Sequence, residues 1–387
     1  MSTIAIRRAP LSDARASAGA YAFAIALWLG VSTLPLGFQN AISIGGIAIY
    51  PFEIALAVAV LLTAERGWKI VNRLPSLAFL VGAFTIAFPL ALLSRHPFGA
   101  ILTDGRGMLV LLVTIILTAA LVSDPADRQV LTRAVKYLMV FSAAMVAIGS
   151  LTGIPLTGRV EDAGLYLASG TLQTSSAVRL LVPTSHLATG VLAASVAAVL
   201  FGYCRPRHAA VWLVPAALIA ALSFSRNVLL AVAAAILVAA VTSGRKRLVA
   251  AIPRLAATAA MLAGLSIVYI IATPTWDDSN WFGKLMIGFE TRVLGGLSAQ
   301  MLSMDTSVLY RDREMANGID AIVNSPIIGH GLGFAYQSGS GPAGTFWRDQ
   351  APYYSHNFYL WIGIKFGIIG ICLLVLLVSA CIQGPYR

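Results

Sequence analysis

Charge is what this chain has least of. Only 11% of its 387 residues are Asp, Glu, Lys or Arg, where a soluble globular protein carries about a quarter. That scarcity excludes a chain bathed in water on every side. Cysteine is scarce too: Cys204, Cys372 and Cys381 lie inside or at the ends of apolar runs. A disulfide framework is thereby excluded, and no metal-type spacing is present. The apolar runs do not alternate with polar residues, which argues against a lipid-facing barrel. Arg7, Arg8 and Arg15 precede an apolar run without a clear small-residue cleavage site, so an uncleaved first helix is expected rather than a signal peptide. No nucleotide-binding motif is seen, and no convincing repeat relates the two halves.

What is there is apolar. Hydrophobic residues make up 58% of the chain and mean hydropathy is +0.82. The sequence predicts an all-α, polytopic transmembrane bundle with no separate soluble domain. Runs able to cross a bilayer core of ~30 Å fall at 17–37, 47–64, 74–94, 107–123, 134–152, 183–203, 209–225, 227–243, 255–273 and 357–382. This gives about ten spans. The run 209–243 reads as a helical hairpin turning at Phe224-Ser225-Arg226-Asn227.

The formal charge of +11 is not gathered into a stripe for nucleic acid; it sits in short clusters between the apolar runs. With the N-terminus in the cytoplasm, sixteen Lys and Arg fall in inner segments and five in short outer loops. Such a bias sets orientation and predicts both termini inside. The long loop 274–356 then faces the periplasm or cell exterior. Trp276, Trp281, Phe282, Trp347, Tyr353 and Tyr354 near its ends read as interfacial anchors. Within it, Leu309–Val323 reads as a short amphipathic helix whose stripe of Arg311, Met315, Ile319 and Ile322 or Val323 turns toward the membrane side. Asn324-Ser325-Pro326 ends that helix, Gly329 to Gly333 is expected as a flexible turn, and 337–345 as a mobile tip.

Chemistry concentrates at a few polar positions. Tyr354-Ser355-His356-Asn357-Phe358-Tyr359-Leu360-Trp361 places an imidazole and an amide at the mouth of the last span, where polar groups are costly unless paired or at work. Arg226, at the tip of a tight hairpin, reads either as a snorkelling arginine or as a fork gripping a phosphate at two points. Arg311 and Arg313 are candidates of the same kind. Arg159 and Arg179 flank another outer loop. His330, between glycines, reads as a turn residue or a substrate contact. Lys365, two turns into the last span, calls for a partner or a wet cavity. A metal site from His330 and His356 lacks carboxylate or cysteine company.

Three elements, in order, resemble the O-antigen ligase and polymerase superfamily of bacterial membrane glycosyltransferases. They are Ser223-Phe224-Ser225-Arg226; Arg311 followed by Pro326-Ile327-Ile328-Gly329-His330-Gly331; and His356-Asn357-x-x-Leu360 followed by Gly367 and Gly370. Two positions depart from the family pattern: Met315 stands where Trp is frequent, and Lys365 where an acid is frequent. Family members often have about twelve spans against the ten expected here. The division that follows is an N-terminal transmembrane bundle, 1–204, and a ligase-like membrane domain, 205–387.

The resemblance implies a type-C glycosyltransferase architecture in the bacterial inner membrane. It implies a metal-independent reaction without cofactor on the periplasmic side. The donor would be a glycan on undecaprenyl diphosphate, the acceptor lipid A core for a ligase or another lipid-linked glycan for a polymerase. A chain-length regulator protein is a further partner, and nucleic acid is not one. On this pattern Arg226 and Arg311 would neutralise the departing diphosphate and His356 would act as general base. Asn357, Arg313, Arg179 and His330 would contact substrate. The competing class, a transporter or flippase for a lipid-linked glycan or anionic solute, would also carry outer arginines, with broken helices meeting in mid-membrane.

Overall fold

The computed structural model describes residues 16–38, 41–44, 47–73, 75–162, 165–166, 172–173, 178–272, 280–295, 306–339 and 351–383. Helices dominate: α1 (Ala18–Val31), α2 (Pro51–Arg73), α3 (Pro75–Leu93), α4 (Phe98–Val122), α5 (Pro125–Thr152), α6 (Thr184–Leu200), α7 (Pro206–Leu222), α8 (Asn227–Thr242), α9 (Arg245–Ala272), α10 (Trp281–Phe289), α11 (Thr306–Asn324) and α12 (Phe358–Gln383). A π-helical turn, Glu290–Leu294, follows α10. Proline helps place the starts, standing first in α2, α3, α5 and α7, where its missing N–H costs nothing and its fixed φ suits the helix.

Each of the ten apolar runs coincides with a helix. Among the described residues three of these, Phe98–Val122, Pro125–Thr152 and Phe358–Ser379, are long and apolar enough to cross a membrane. Four apolar helices are shorter, α1, α6, α7 and α8. The fold is all-helical in its architecture, as expected, with short hairpins in its loops. Among the described residues three two-stranded antiparallel sheets form, β1 (Ile42–Ile44) with β2 (Ile47–Ile49), β3 (Arg159–Asp162) with β6 (Val178–Leu181), and β4 (Leu165–Tyr166) with β5 (Leu172–Gln173). The β3–β6 register sets Glu161 opposite Arg179. Strands this short leave little periodicity to read.

The chain divides into two units. The first comprises 1–23, 56–130 and 307–387, the second 24–55 and 131–306. The N-terminal helices contribute to both units. In the first, α3, α4 and α12 pack around Leu77, Ala91, Ile101, Leu332 and Ile362. Asp127, 1% exposed, accepts from the Ser17 N–H and hydroxyl and from Arg66 at 2.6 Å. In the second, α5, α6, α7 and β6 pack around Leu138, Met139, Leu156, Leu180 and Ile219. Trp281, expected as an interfacial anchor, packs against this core and donates to the Ser150 hydroxyl at 2.9 Å. Trp276, Trp347 and most of 337–345 lie outside the described residues.

Candidate active site

In the first unit the site grows from α11 and the entry to α12. The amphipathic helix expected over 309–323 forms as Thr306–Asn324. Its packed face is Glu314, Gly318 and Ala321, while Arg311, Met315, Ile319 and Val323 are exposed. The apolar stripe therefore points away from the protein, and the helix docks through the face one residue earlier, where small side chains allow close approach.

Glu314 is the only charged residue on that docked face, and its side chain is 2% exposed. Its Oε1 accepts from the Ser355 hydroxyl and from the His356 backbone N–H at 2.6 Å; Oε2 lies 2.7 Å from His356 Nδ1. The imidazole is 37% exposed and stands edge-on to the rings of Tyr354 and Tyr310, centroids 5.0 and 5.8 Å away. Burial alone would raise the Glu314 pKa. The bonds donated by the His356 ring, Ser355 and the His356 backbone outweigh it and hold the carboxyl below its ordinary value. The neighbouring phenols move the other way: burial, then the Glu314 charge, push Tyr336 and Tyr354 up. Arg311 lies close enough to Tyr354 to oppose that rise. The cluster thus holds one carboxylate, one imidazole and neutral phenols, with a guanidinium beside them.

Asn357 Oδ1 accepts from the N–H groups of Tyr359 and Leu360 at 3.0 and 3.3 Å. It caps the first turn of α12, as Asn does at helix starts. Further on, α12 breaks at Gly367, with φ 62° and ψ −159°. The expected flexible turn Gly329–Gly333 is in fact pinned into that break. His330 N–H donates to the Ile364 carbonyl at 2.9 Å and Gly331 N–H to that of Lys365 at 3.0 Å. In exchange Ile368 and Ile369 N–H groups donate to the Pro326 and Ile327 carbonyls at 2.8 and 3.4 Å. Backbone groups freed by the break are thus re-satisfied by a second segment, as a low-dielectric interior demands. The crossing requires glycine: a Cβ on Gly329 would sit 2.5 Å from the Lys365 carbonyl carbon, one on Gly367 2.3 Å from the Ile327 oxygen. His330, held there, places Nε2 2.8 Å from the Ala321 carbonyl and stacks on Phe334 at 3.9 Å.

The partner that Lys365 calls for is Asp104 of α4, 2.7 Å away, with 0% and 7% of the two side chains exposed. Lys365 also donates to the Phe334 carbonyl, and Asp104 Oδ2 accepts from Gly333 N–H at 2.7 Å. Asp104 lines a cavity of about 560 Å³, together with Thr103, Met108, Tyr354, Ser355 and Trp361. Its lining therefore includes residues adjoining His356 in the chain.

In the second unit the hairpin turn expected at 224–227 forms between α7 and α8, with Phe224 at a φ of 44°. Arg179 of β6 donates from Nε to the Ser223 carbonyl at 2.9 Å, so Arg179 and the turn bearing half-buried Arg226 are brought together. Within the first unit the structure gathers His356, Asn357 and Arg311, with Arg313 exposed on α11. Glu314, Ser355 and Asp104 escaped the sequence reading. Among Arg311, Asp312, Arg313 and Glu314 one acid looks like its surface neighbours; the clue lay in its spacing of four and seven from Gly318 and Ala321. Among the described residues no group of three or more His, Cys, Asp and Glu is placed to hold a metal ion.

No curated protein and no solved structure matches the chain. A family model described as O-antigen ligase matches residues 209–375, a stretch holding the Ser-Arg turn, α11, the pinned glycine segment and the Glu314–His356 pair. Such a domain carries a membrane glycosyltransferase-type role in polysaccharide assembly, in the bacterial inner membrane. Residues 209–375 thus match the O-antigen ligase family, which supports the superfamily that the order of the motifs resembles.

Proposed function

We propose that this protein transfers a glycan from undecaprenyl diphosphate to an acceptor sugar hydroxyl at the outer face of the inner membrane, as a ligase or a polymerase of O-antigen or exopolysaccharide. The observation that carries the reading is the half-exposed His356 imidazole, backed by a buried carboxylate at Nδ1, with Arg311 near the adjoining Tyr354. A base is needed because a sugar hydroxyl is a weak nucleophile, and a placed general base contributes about 10²–10⁴-fold. The donor's diphosphate bond supplies the driving force, so no nucleotide enters the proposed step, which is proposed as metal-independent on the family resemblance. Arg311 and Arg226 are proposed to offset the charge gathering on the diphosphate, where loss of one preorganised contact costs about 10²–10³-fold. Arg179, Arg313, Asn357 and His330 are proposed as substrate contacts. The proposal includes ten spans, both termini inside and the 274–356 loop outside, supported by the Lys and Arg distribution.

The broken helix α12 favours a second reading as a transporter, since unwound helices line transport sites. In transport sites, however, the freed carbonyls face the solute, whereas those of Ile364 and Lys365 are taken by His330 and Gly331. A strain carrying His356→Ala separates the two. The transferase reading expects loss of the polymerised or ligated glycan with unchanged membrane level of the protein, while lipid-linked repeat units accumulate on the outer leaflet. Retained product would remove His356 from the mechanism, and accumulation on the inner leaflet would favour transport.

A further inference from the structure

Glu314 does more in this geometry than a loop anchor needs. The Ser355 hydroxyl and the His356 N–H are both satisfied by Oε1, so that one oxygen fixes the segment entering α12. Among the described residues Oε2 is left for the imidazole, 2.7 Å from Nδ1. An ionised carboxylate has no hydrogen to give, and this one is held below its ordinary pKa, so the hydrogen of that bond belongs to Nδ1. The Tyr354 and Tyr310 rings close on the imidazole edge-on and limit its rotation. The ring's exposed part is left to present Nε2.

We infer that Glu314 is a positioning residue that holds His356 in one tautomer and one orientation, hydrogen on Nδ1 and lone pair on Nε2, as the base that receives the acceptor hydroxyl proton. This rests on the transferase reading above. In the step, the acceptor O–H bond breaks as its proton passes to Nε2. The acceptor oxygen bonds to the anomeric carbon, and the bond from that carbon to the diphosphate oxygen breaks, its electron pair leaving on the diphosphate. The imidazolium is balanced by the Glu314 carboxylate, and its proton passes on to the released diphosphate or to water.

The test uses the full-length protein in lipid nanodiscs, with radiolabelled undecaprenyl-diphosphate-linked repeat unit from the producing strain as donor. For Glu314→Gln, whose amide can donate to Nδ1 and reverse the tautomer, kcat falls about 10²–10⁴-fold, the contribution of a placed general base, while KM moves only a few-fold. Glu314→Asp recovers part of kcat. Ser355→Ala, which removes a bond to the same carboxylate and leaves the Nδ1 contact, loses far less kcat than Glu314→Gln. A Ser355→Ala loss equal to that of Glu314→Gln would make the network purely structural and overturn the inference. If His356→Ala is inactive and Glu314→Gln is fully active, this inference fails and the transferase reading stands; an active His356→Ala sinks both. Should Glu314→Gln not accumulate, ¹⁵N-histidine spectra of the wild-type protein decide: a bare Nε2 supports the assignment, and a protonated Nε2 with bare Nδ1 overturns it.

Discussion

Single residues here are judged by what their burial obliges them to do. Lys365 and Asp104 are buried together, and breaking such a pair costs about 3–5 kcal/mol because the survivor stays charged without compensation. Lys365→Met is therefore expected to lower the melting temperature of the purified protein in detergent sharply, and Lys365→Met with Asp104→Leu to recover most of that loss. Additive losses in the double variant would show that the two charges do not depend on each other. Glu314 sets a pH limit. Its folded pKa lies below the ordinary value, about 4.3 for a glutamate. Its stabilisation is fully present above that pH and disappears as pH falls through the lower folded value. A melting series from pH 8 to 3.5 should show a fall below pH ~4 in the wild type that is shallower in Glu314→Gln.

At the scale of elements, the informative feature is the exchange of hydrogen bonds between the 326–331 segment and broken α12. Gly329→Ala introduces a Cβ at a φ of 71° and within 2.5 Å of backbone. Strain and overpacking together cost about 2–5 kcal/mol, and no flexible side chain can yield. The variant should accumulate poorly in membranes and melt early, with Gly367→Ala behaving alike. Gly99→Ala, whose Cβ meets nothing within 4 Å, is the control that should leave melting unchanged. Loss of activity in Gly329→Ala with wild-type stability would mean that the glycine serves substrate rather than packing.

For the whole molecule, the testable property is orientation. If the 274–356 loop faces outward, a cysteine placed at exposed Ser338 in a background without Cys204, Cys372 and Cys381 should react with a membrane-impermeant maleimide in intact spheroplasts. Labelling only after lysis would turn the protein over and end the periplasmic proposal. Polymerase and ligase then separate by the surface polysaccharide of a deletion strain: single repeat units on core mark a lost polymerase, free long chains a lost ligase.

Class, helix positions and several residues of the candidate site were legible in the residues. Apolar runs declare helices because backbone groups in lipid must bond within their own segment; that rule is local, so the ten runs, the turn at Phe224–Asn227 and the helix before Pro326 could be marked from the chain alone. His356 and the arginines stood out as polar groups where polar groups are expensive. What remained hidden depends on distance in space. The Glu314–His356 bond joins positions 42 apart, and Gly333–Asp104 joins positions 229 apart. Whether a given acid is a solvated surface charge or a buried acceptor is decided by which helix face docks, and α11 docks through Gly318 and Ala321 rather than its apolar stripe. Pairing of buried charges and exchange of backbone bonds at a broken helix are tertiary events, for an uncompensated polar group finds its partner wherever packing brings one, irrespective of its place along the chain.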